Sequence, residues 1–591
     1  CLAVAPVFFL DLRIREEEQI MTEERWVVAA KRADFQGIGE KFSIDPVIAR
    51  LIRNRDVITE EDINGYLNGN LEQLNNPFLM KDMEKAVEMI LAKIEQNARI
   101  RIIGDYDIDG VTSAYILRKG LRELGADVDT YLPDRITDGY GIHEGLIQNA
   151  IADGVDTIVT CDNGIAAAKE IQMAKDAGLT VIVTDHHEVP YEEVNGEIRE
   201  ILPPADAVIN PKQKACSYPC KLLCGAGVAF KLICALYEKR GIAREKTYDY
   251  LDLVAVATVG DVMDLKEENR ILVKEGLKYL RNTKNTGLQA LIRANGLEDK
   301  KISAYHIGFV LGPCINASGR LDTARRSLEL LQEEDPRKAA KLAGDLMAMN
   351  QSRKALTLEG VEEAIRQIDT TSLSKDRVLV VYLPECHESL AGIIAGRIRE
   401  KYHKPTIVLT KGEQGVKGSG RSIETYSMFE ALNECKELLT KFGGHPMAAG
   451  LSLEEKKVEP FREKINRLCR LTEEDLQPKV VIDVPMPISY ITRELIEQLE
   501  LLEPFGKGNT KPVFAQKGIY VLNPRIFGKN RNVVKMQVAD ENGASMEAVY
   551  FGESEVFLET AKEKGKLSIV YYPGINSYHG RENLQITILS Y

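Results

Sequence analysis

The stretch Asp105-Tyr106-Asp107-Ile108-Asp109-Gly110 directly follows the apolar, strand-like segment Ile100-Arg101-Ile102-Ile103 and one glycine. Three carboxylates this close repel one another and raise each other's pKa values unless a divalent cation holds them together. The carboxyl end of a strand is also the edge at which open parallel sheets place their ligands. The sequence therefore predicts a parallel-sheet α/β domain with a metal site just after this strand.

Further candidate ligands follow other apolar segments downstream. Asp162 and the segment Asp185-His186-His187 each follow a short strand-like segment. Asp261 follows the apolar run 251–259, which is also predicted to be a strand. Because the carboxyl ends of parallel strands meet at one edge of a sheet, these side chains are predicted to converge in one cleft.

The ligand types indicate the metal and the reaction. Hard carboxylates mixed with imidazole suit Mn²⁺, with Mg²⁺ as a substitute. Two ions about 3.5–4 Å apart would activate a water and neutralise the leaving oxygen of a phosphodiester. A P-loop motor is excluded because the sequence has no GxxxxGK[ST] motif. A lone Asp after a strand is more often a cap or turn residue, but that alternative does not explain the whole ordered set.

Composition limits the remaining classes. A chain of 591 residues is too long for one core and predicts three or four domains. A net charge of −12 means that any nucleic-acid contact is local, and no apolar run approaches the roughly 20 residues that cross a bilayer. Ten scattered cysteines favour a reducing compartment, so a cytoplasmic location is expected. Cys216, Cys220 and Cys224 lack a nearby fourth ligand and are predicted to be small buried residues rather than a zinc site.

Strand-like and helix-like runs alternate from about 98 to 260, and helical periodicity then dominates to about 370, broken at Pro336. A second α/β unit follows, and the short, turn-bounded strands after about 475 predict an all-β barrel. The N-terminus lacks the pattern of a signal peptide, and the family resemblance described next implies that its first residues are a disordered upstream extension or a start-site artefact. The predicted segments are 1–20 (extension), 21–97 (helical lead), 98–325 (catalytic domain), 326–375 (connecting helix), 376–474 (second α/β domain) and 475–591 (β-domain).

Several motifs carry a family resemblance. DYDIDG, CDNG, DHH, GDVMDL and GPCINASGRLD resemble the successive motifs of the DHH phosphoesterase superfamily. The later segments SLAGIIAGRI after His387, GSGRS at 418–422, FGGHPMAAG at 442–450 and LLEPFGKGN at 501–509 resemble, in that order, the RecJ family of bacterial single-strand-specific DNA exonucleases. The resemblance covers nearly the whole chain after about residue 24. It implies a two-lobed core of DHH and DHHA1 domains joined by a long helix, followed by an OB-fold.

The resemblance also implies roles for individual residues. Asp107 and Asp162 would hold one ion, and Asp162 would bridge to a second ion, whose other ligands would be Asp109, His186 and Asp261. Asp105 would ligate directly or through water, and His187 would lie in the second layer or donate a proton to the departing 3′ oxygen. The residues implied to bind the 5′-terminal or next phosphate, or to contact the nucleotide, are Arg135, Arg320, Ser419, Arg421, His387 and His445. Arg135 and Arg320 are predicted to lie in loops, Ser419 and Arg421 in the glycine-rich loop that includes 418–420, and Gly443 and Gly444 in a tight turn. Cys314 is a departure, because family members often carry arginine at that position.

The implied function is a Mn²⁺-dependent 5′→3′ exonuclease that releases 5′-mononucleotides from single-stranded DNA in repair and recombination. The implied partners are a single-strand-binding protein and a helicase, and a monomer is expected. A narrow cleft between two lobes would exclude duplex, while Tyr520, Phe527 and Tyr550 are either base-stacking or core aromatics of the barrel. Two alternatives stay open: a phosphodiesterase for short RNA or cyclic dinucleotides, and a non-catalytic DNA-binding scaffold.

Overall fold

The protein is described by a computed structural model that covers residues 24–134, 141–194, 196–412, 415–578 and 580–591. The predicted extension 1–20 and Arg135 lie outside these residues. The chain divides into two compact units, each built from separated segments. Unit 1 comprises the described residues up to Ile63 together with Lys354–Leu502 and Lys511–Tyr591, and unit 2 comprises Asn64–Arg353 and Glu503–Thr510.

The strands and helices account for most of the described chain. The strands are β1 (Arg25–Val28), β2 (Ile100–Ile103), β3 (Val128–Tyr131), β4 (Thr157–Cys161), β5 (Thr180–Thr184), β6 (Tyr191–Val194), β7 (Glu197–Glu200), β8 (Ala207–Ile209), β9 (Leu379–Tyr382), β10 (Thr406–Gly412), β11 (Gly415–Arg421), β12 (Lys441–His445), β13 (Ala448–Leu453), β14 (Lys479–Ile482), β15 (Val484–Pro485), β16 (Phe514–Phe527), β17 (Val533–Ala539), β18 (Ser545–Phe551), β19 (Leu567–Tyr578) and β20 (Arg581–Ser590). The α-helices are α1 (Phe35–Phe42), α2 (Pro46–Asn54), α3 (Glu60–Asn68), α4 (Met83–Glu95), α5 (Ile108–Glu123), α6 (Glu144–Ala152), α7 (Ala168–Asp176), α8 (Gly225–Lys239), α9 (Leu251–Gly260), α10 (Glu267–Arg281), α11 (Thr286–Ala294), α12 (Ala304–His306), α13 (Gly312–Leu321), α14 (Arg325–Gln332), α15 (Pro336–Thr370), α16 (Ala391–Tyr402), α17 (Met428–Glu434), α18 (Val458–Leu468), α19 (Arg493–Leu499) and α20 (Ser554–Lys564).

Unit 2 is built on a five-stranded sheet in the order β3-β2-β4-β5-β8, and all of its neighbouring pairs are parallel. Every residue of β2 and β4 is buried, as expected for strands covered on both faces. Helices α5, α8 and α9 pack against one another and contribute to the core of this unit. The predicted parallel-sheet α/β fold is confirmed.

One strand prediction within this unit is wrong. Residues 251–259 form most of α9, a helix in which Leu251 to Thr258 are all buried. A helix buried on every side shows no amphipathic period, so the pattern alone does not separate it from a buried strand. Its length of 10 residues fits a helix better than a short strand.

Unit 1 contains two larger sheets. The first has the order β12-β13-β11-β10-β9, in which only the β9–β10 pair is parallel. The second has the order β15-β16-β17-β18-β20-β19, and an additional pairing of β16 with β19 closes the ring of strands. This closure agrees with the OB-type β-domain that was predicted.

Three local features differ from the sequence predictions. The glycine-rich residues 418–420, expected in a loop, lie inside β11, and Gly443 lies in β12 rather than in a tight turn. Strand β1, in the segment predicted to be helical, pairs in parallel with β14. The long helix α15 begins at Pro336, where proline is well tolerated in the first turn, and it contributes residues to both units. Among the described residues, no helix combines the length and hydropathy needed to cross a bilayer.

Candidate metal centre

The candidate ligands lie at the carboxyl edge of the parallel sheet in unit 2. Strands β2, β4 and β5 are adjacent, so the residues that follow them meet at one edge. Asp105, Asp162 and the Asp185–His187 segment come from these three strand ends. Asp261 reaches the same place from the C-terminal end of α9. The predicted convergence is therefore seen, although a helix rather than a strand delivers Asp261.

The aspartate loop is shaped by the start of α5. Asp107 is the N-cap of this helix, and its Oδ1 accepts hydrogen bonds from the backbone N–H groups of Asp109 at 2.9 Å and Gly110 at 3.1 Å. A Cβ atom on Gly110 would lie 2.5 Å from the backbone of Asp105, so a larger residue there would displace the loop. The cap thus fixes the backbone that carries these carboxylates.

Asp109 is fully buried, and the N-terminus of α8 receives its carboxylate. The backbone N–H groups of Gly225 and Ala226 donate to its two oxygens at 2.6 and 2.8 Å. The positive end of the helix dipole favours a carboxylate at this position. Burial and the charge of Asp107 nevertheless raise the pKa of Asp109 to about 6.

Asp162 occupies the centre of the cluster. Its backbone has a φ of +59°, an uncommon left-handed conformation for a non-glycine residue directly after a strand. Its Oδ1 is buried without a hydrogen-bond partner, and Nε2 of His186 lies 3.0 Å away. Burial, with the charge of Asp109, raises the pKa of Asp162 well above its usual value. A cation placed here would satisfy these atoms.

His186 joins the carboxylates into overlapping groups. Its Nε2 lies 3.5 Å from Asp109 Oδ2 and 3.7 Å from Asp261 Oδ2. Ligand atoms lie within 4.8 Å of one another in three sets: Asp105, Asp107 and Asp162; Asp109, His186 and Asp261; Asp162, His186 and His187. Burial and the charge of His187 lower the pKa of His186 to about 3, so its imidazole is neutral and able to coordinate. The donor set of carboxylates and imidazole fits Mn²⁺ or Mg²⁺.

Two basic groups counter the negative charge around Asp261. Burial and the charge of Asp109 raise the pKa of Asp261 to about 8, against the opposing charges of His187 and Lys507. Burial would lower the pKa of His187, but its hydrogen bond to Asp185 and the nearby carboxylates raise it to about 9. A protonated His187 beside the cluster is therefore the state expected near neutral pH.

The structure adds Asp185 as a positioning residue. Its Oδ1 lies 2.8 Å from His187 Nδ1 and accepts from the backbone N–H groups of His186 at 2.7 Å and His187 at 3.1 Å. Its Oδ2 accepts from the Ile165 N–H at 2.9 Å. The sequence marked Asp185 as part of the cluster, but only the structure shows that it orients both histidines instead of standing among the grouped ligands.

Arg320 lies in helix α13 and not in a loop, which corrects the prediction. This helix packs against the aspartate loop: Asn316 Oδ1 accepts from the Ile108 N–H at 2.8 Å, and a Cβ atom on Gly319 would lie 2.4 Å from the Tyr106 carbonyl oxygen. Arg320 is therefore carried by an element that contacts the loop directly. Cys314, in the same helix, is fully buried and accepts from Asn350 Nδ2 at 3.4 Å.

In unit 1, Ser419 and Arg421 lie two residues apart in β11 and thus on one face of the strand. Arg421 Nη1 donates to Ser419 Oγ at 3.0 Å, and a Cβ atom on Gly392, in the first turn of α16, would lie 2.8 Å from Arg421 Nη2. His445 shares a cross-strand row with Arg421 through Ala448. This face thus combines a guanidinium, a hydroxyl and the N-terminus of a helix, which together suit a phosphate.

The other predicted residues have local structural partners. His387 Nδ1 lies 2.7 Å from Ser389 Oγ, in the turn that leads into α16.

Cys216, Cys220 and Cys224 are buried, and no cysteine belongs to the potential metal groups among the described residues. Tyr550 stacks on Phe557 with ring centroids 4.6 Å apart, whereas Phe527 is 45% exposed. Tyr550 is therefore a packing residue, whereas the Phe527 ring has the Lys535 ammonium 5.6 Å from its centroid.

Comparisons with known proteins agree with this architecture. Family models match the DHH family N-terminal domain at residues 99–258, the DHHA1 domain at 375–471 and the RecJ OB domain at 482–590. The single-stranded-DNA-specific exonuclease RecJ of Bacillus subtilis is 35% identical over 96% of this chain and 71% of that protein. The protein of the same name from Escherichia coli is 34% identical over 92% of this chain and 95% of that protein.

Solved structures show the same relationship. The crystal structure of RecJ in complex with Mn²⁺ from Thermus thermophilus has a TM-score of 0.81 and 27% identity, covering 96% of this chain and 78% of that one. The corresponding complex with Mg²⁺ has a TM-score of 0.76 and 26% identity over 96% of this chain and 77% of that one. Identity above 30% over more than nine-tenths of this chain, together with the ordered domains, leads to one conclusion: the chain belongs to the RecJ family.

Proposed function

We propose that this chain is a divalent-metal-dependent exonuclease that degrades single-stranded DNA in the 5′→3′ direction and releases 5′-mononucleotides. The observation that carries the proposal is the cluster of buried carboxylates and imidazole at the edge of the parallel sheet. Family membership supports it, since the curated relatives are named single-stranded-DNA-specific exonucleases. Repair and recombination are the setting that the resemblance implies.

The metal ligands proposed are Asp107, Asp109, Asp162, His186 and Asp261, with Asp105 ligating directly or through water. We propose that two ions, Mn²⁺ or Mg²⁺, would be held here and that Asp162 would contribute to the binding of both. Their chemistry would be to lower the pKa of the attacking water and to neutralise charge on the phosphate oxygens.

The protein's own groups supply orientation and proton transfer. The N-terminus of α8 fixes the carboxylate of Asp109, and the cap of α5 fixes the loop that carries Asp105 and Asp107. We propose that His187, which contacts Asp185 through Nδ1, gives a proton to the departing 3′ oxygen. Its raised pKa keeps that proton available near neutral pH.

The residues proposed to bind phosphate would set the direction in which the strand is digested. We propose that Arg421, Ser419 and Arg320, with Arg135, bind the 5′-terminal or next phosphate, and that His387 and His445 contact the nucleotide. The support is the pairing of Arg421 with Ser419 beside the start of α16. A single-strand-binding protein and a helicase as partners, a monomeric state and a cytoplasmic location are further parts of this proposal, drawn from the sequence resemblance.

A digestion time course tests the proposal. With Mn²⁺, single-stranded DNA labelled at its 5′ end should release labelled mononucleotide at once, while the 3′ label stays in long products and the matching duplex is left intact. Activity confined to RNA or a dinucleotide would favour the smaller phosphodiesterases, and no activity with any metal would favour a scaffold. The variant Asp162→Ala should lose activity but remain folded, whereas Asp176→Ala, an exposed aspartate on α7, should behave as wild type.

A further inference from the structure

The motif LLEPFGKGN takes no part in the mechanism above, yet its position in the fold is unusual. Glu503–Thr510 belongs to unit 2, although the residues on both sides of it in the chain, Leu502 and Lys511, belong to unit 1. The segment therefore leaves the unit that contains the β-domain and becomes part of the unit that holds the metal centre.

The segment is held as a defined turn. Gly506 and Asn509 exchange backbone hydrogen bonds at 3.0 and 3.2 Å. Asn509 is 1% exposed, donates from Nδ2 to the Pro504 carbonyl at 2.8 Å and accepts from the Tyr66 hydroxyl at 2.8 Å. These buried partners fix the turn that presents Lys507.

The turn lies directly on the chain that follows Asp261. The Leu265 N–H donates to the Lys507 carbonyl at 2.8 Å. A Cβ atom on Gly506 would lie 2.7 Å from Leu265 Cδ1, and one on Gly508, whose φ is +73°, would lie 3.1 Å from Asp264 Cβ. Side chains at the two glycines would push the turn away from Asp264 and Leu265, so the glycines permit this close approach.

Lys507 brings a positive charge to the edge of the metal centre. Its Nζ lies 3.7 Å from Asp264 Oδ1, and its side chain is 59% exposed. A pair this long and exposed contributes little to stability, so the contact with Asp264 does not by itself account for the lysine. Asp264 follows shortly after the proposed ligand Asp261 in the chain, so this contact holds the ammonium close to the metal centre. An exposed ammonium beside an anionic, metal-binding cluster is suited to a phosphate group.

We propose that Lys507 binds a backbone phosphate of the DNA strand adjacent to the phosphodiester that is cleaved, and that Glu503–Thr510 is a substrate-binding turn of the nuclease unit. This inference rests on the proposed function. It assigns a DNA contact to a segment that lies, in sequence, at the start of the β-domain. Lys507 makes this contact through its positive charge. An arginine at this position should therefore keep DNA binding, and a glutamine should weaken it.

The experiment uses the full-length chain and initial rates on single-stranded DNA with Mn²⁺. Lys507→Gln is compared with Lys507→Arg and with Lys284→Gln, a matched change at a lysine that is 77% exposed and paired with Asp249. Loss of one charged phosphate contact should raise KM about tenfold with little change in kcat. It should also make the slope of log KM against log salt shallower by about 0.7. Lys507→Arg should restore most of both quantities, and Lys284→Gln should leave both unchanged.

Two results would overturn the inference. One is an unchanged salt dependence in Lys507→Gln while the wild type digests single-stranded DNA normally. The other is a KM defect that disappears as Mn²⁺ is raised, because the lysine would then act on the metal centre and not on the strand. A wild-type chain without activity on single-stranded DNA would count against the proposed function itself, so the two failures are distinguishable.

Discussion

Replacing Gly225 by alanine places a methyl group against the central carboxylate of the metal centre. An ideal Cβ atom at this position lies 2.7 Å from Asp162 Cβ and 3.0 Å from its Cα. Ordinary van der Waals contact begins at 3.4 Å, so Asp162 or the first turn of α8 must move by about 0.7 Å. The same turn donates the hydrogen bonds to Asp109, so the movement disturbs two ligands at once.

The expected effect is large on activity and modest on stability. A misplacement approaching 1 Å at a reacting centre costs on the order of 100-fold in rate. Overpacking costs about 1–3 kcal/mol. The variant should therefore remain folded and lose about 100-fold in turnover, with weaker Mn²⁺ binding.

Gly227→Ala provides the matched control. It lies two residues further along α8, and its Cβ atom would come no closer than 3.3 Å to a side-chain atom of Leu223. The assays are single-stranded DNA digestion, Mn²⁺ titration by calorimetry and thermal unfolding of both variants. If Gly225→Ala kept wild-type turnover and Mn²⁺ affinity, the tight packing of α8 against Asp162 would not be what holds the centre in place.

Three further predictions concern charge. Asp261, with a pKa of about 8, and His187, with a pKa of about 9, both titrate above their unfolded values, so the folded state binds more protons. The melting temperature of the metal-free protein should thus fall between about pH 6.5 and 9, a trend that saturating Mn²⁺ should weaken; a flat metal-free profile in scanning fluorimetry would contradict this. Arg421→Ala should raise KM for 5′-phosphorylated ends more than for 5′-hydroxyl ends, and equal effects in steady-state kinetics would remove it from the phosphate site. Lys231→Met removes the partner of Glu268 in an ion pair whose two side chains are each 2% exposed. It should lower the free energy of unfolding, measured by urea titration, by about 3–5 kcal/mol. A loss below about 1 kcal/mol would show that the ion pair does not stabilise the fold.

The part of the site that the sequence predicts follows from the positions of residues at the ends of strands. Asp105, Asp162 and His186 follow short apolar strands of a parallel sheet, and the rule that such ends share an edge brought them together correctly. Asp261 was grouped correctly, but for a wrong structural reason, because α9 is buried on every side and carries no helical period.

Other features depend on contacts between distant parts of the chain. Ser419 and Arg421 were expected in a loop because glycines surround them. The segment is instead strand β11, and side chains of the neighbouring strands and of α17 occupy the space that residues larger than glycine would need. Glycine composition alone does not distinguish a flexible loop from a crowded strand. The place of Glu503–Thr510 in unit 2 likewise depends on partners such as Tyr66, more than 400 residues away, which no local pattern reveals.

The parallel pairing of β1 with β14 has a consequence for the order of folding during synthesis. Arg25 aligns with Lys479 and also forms an ion pair with Glu474, 449 residues later in the chain. At about 5–20 residues per second, a ribosome needs tens of seconds to supply that partner strand. The five-stranded sheet of unit 2 lies entirely between Ile100 and Ile209 and is available much sooner. The nascent chain is therefore expected to form its nuclease sheet first, because β1 can pair only after β14 has been synthesised.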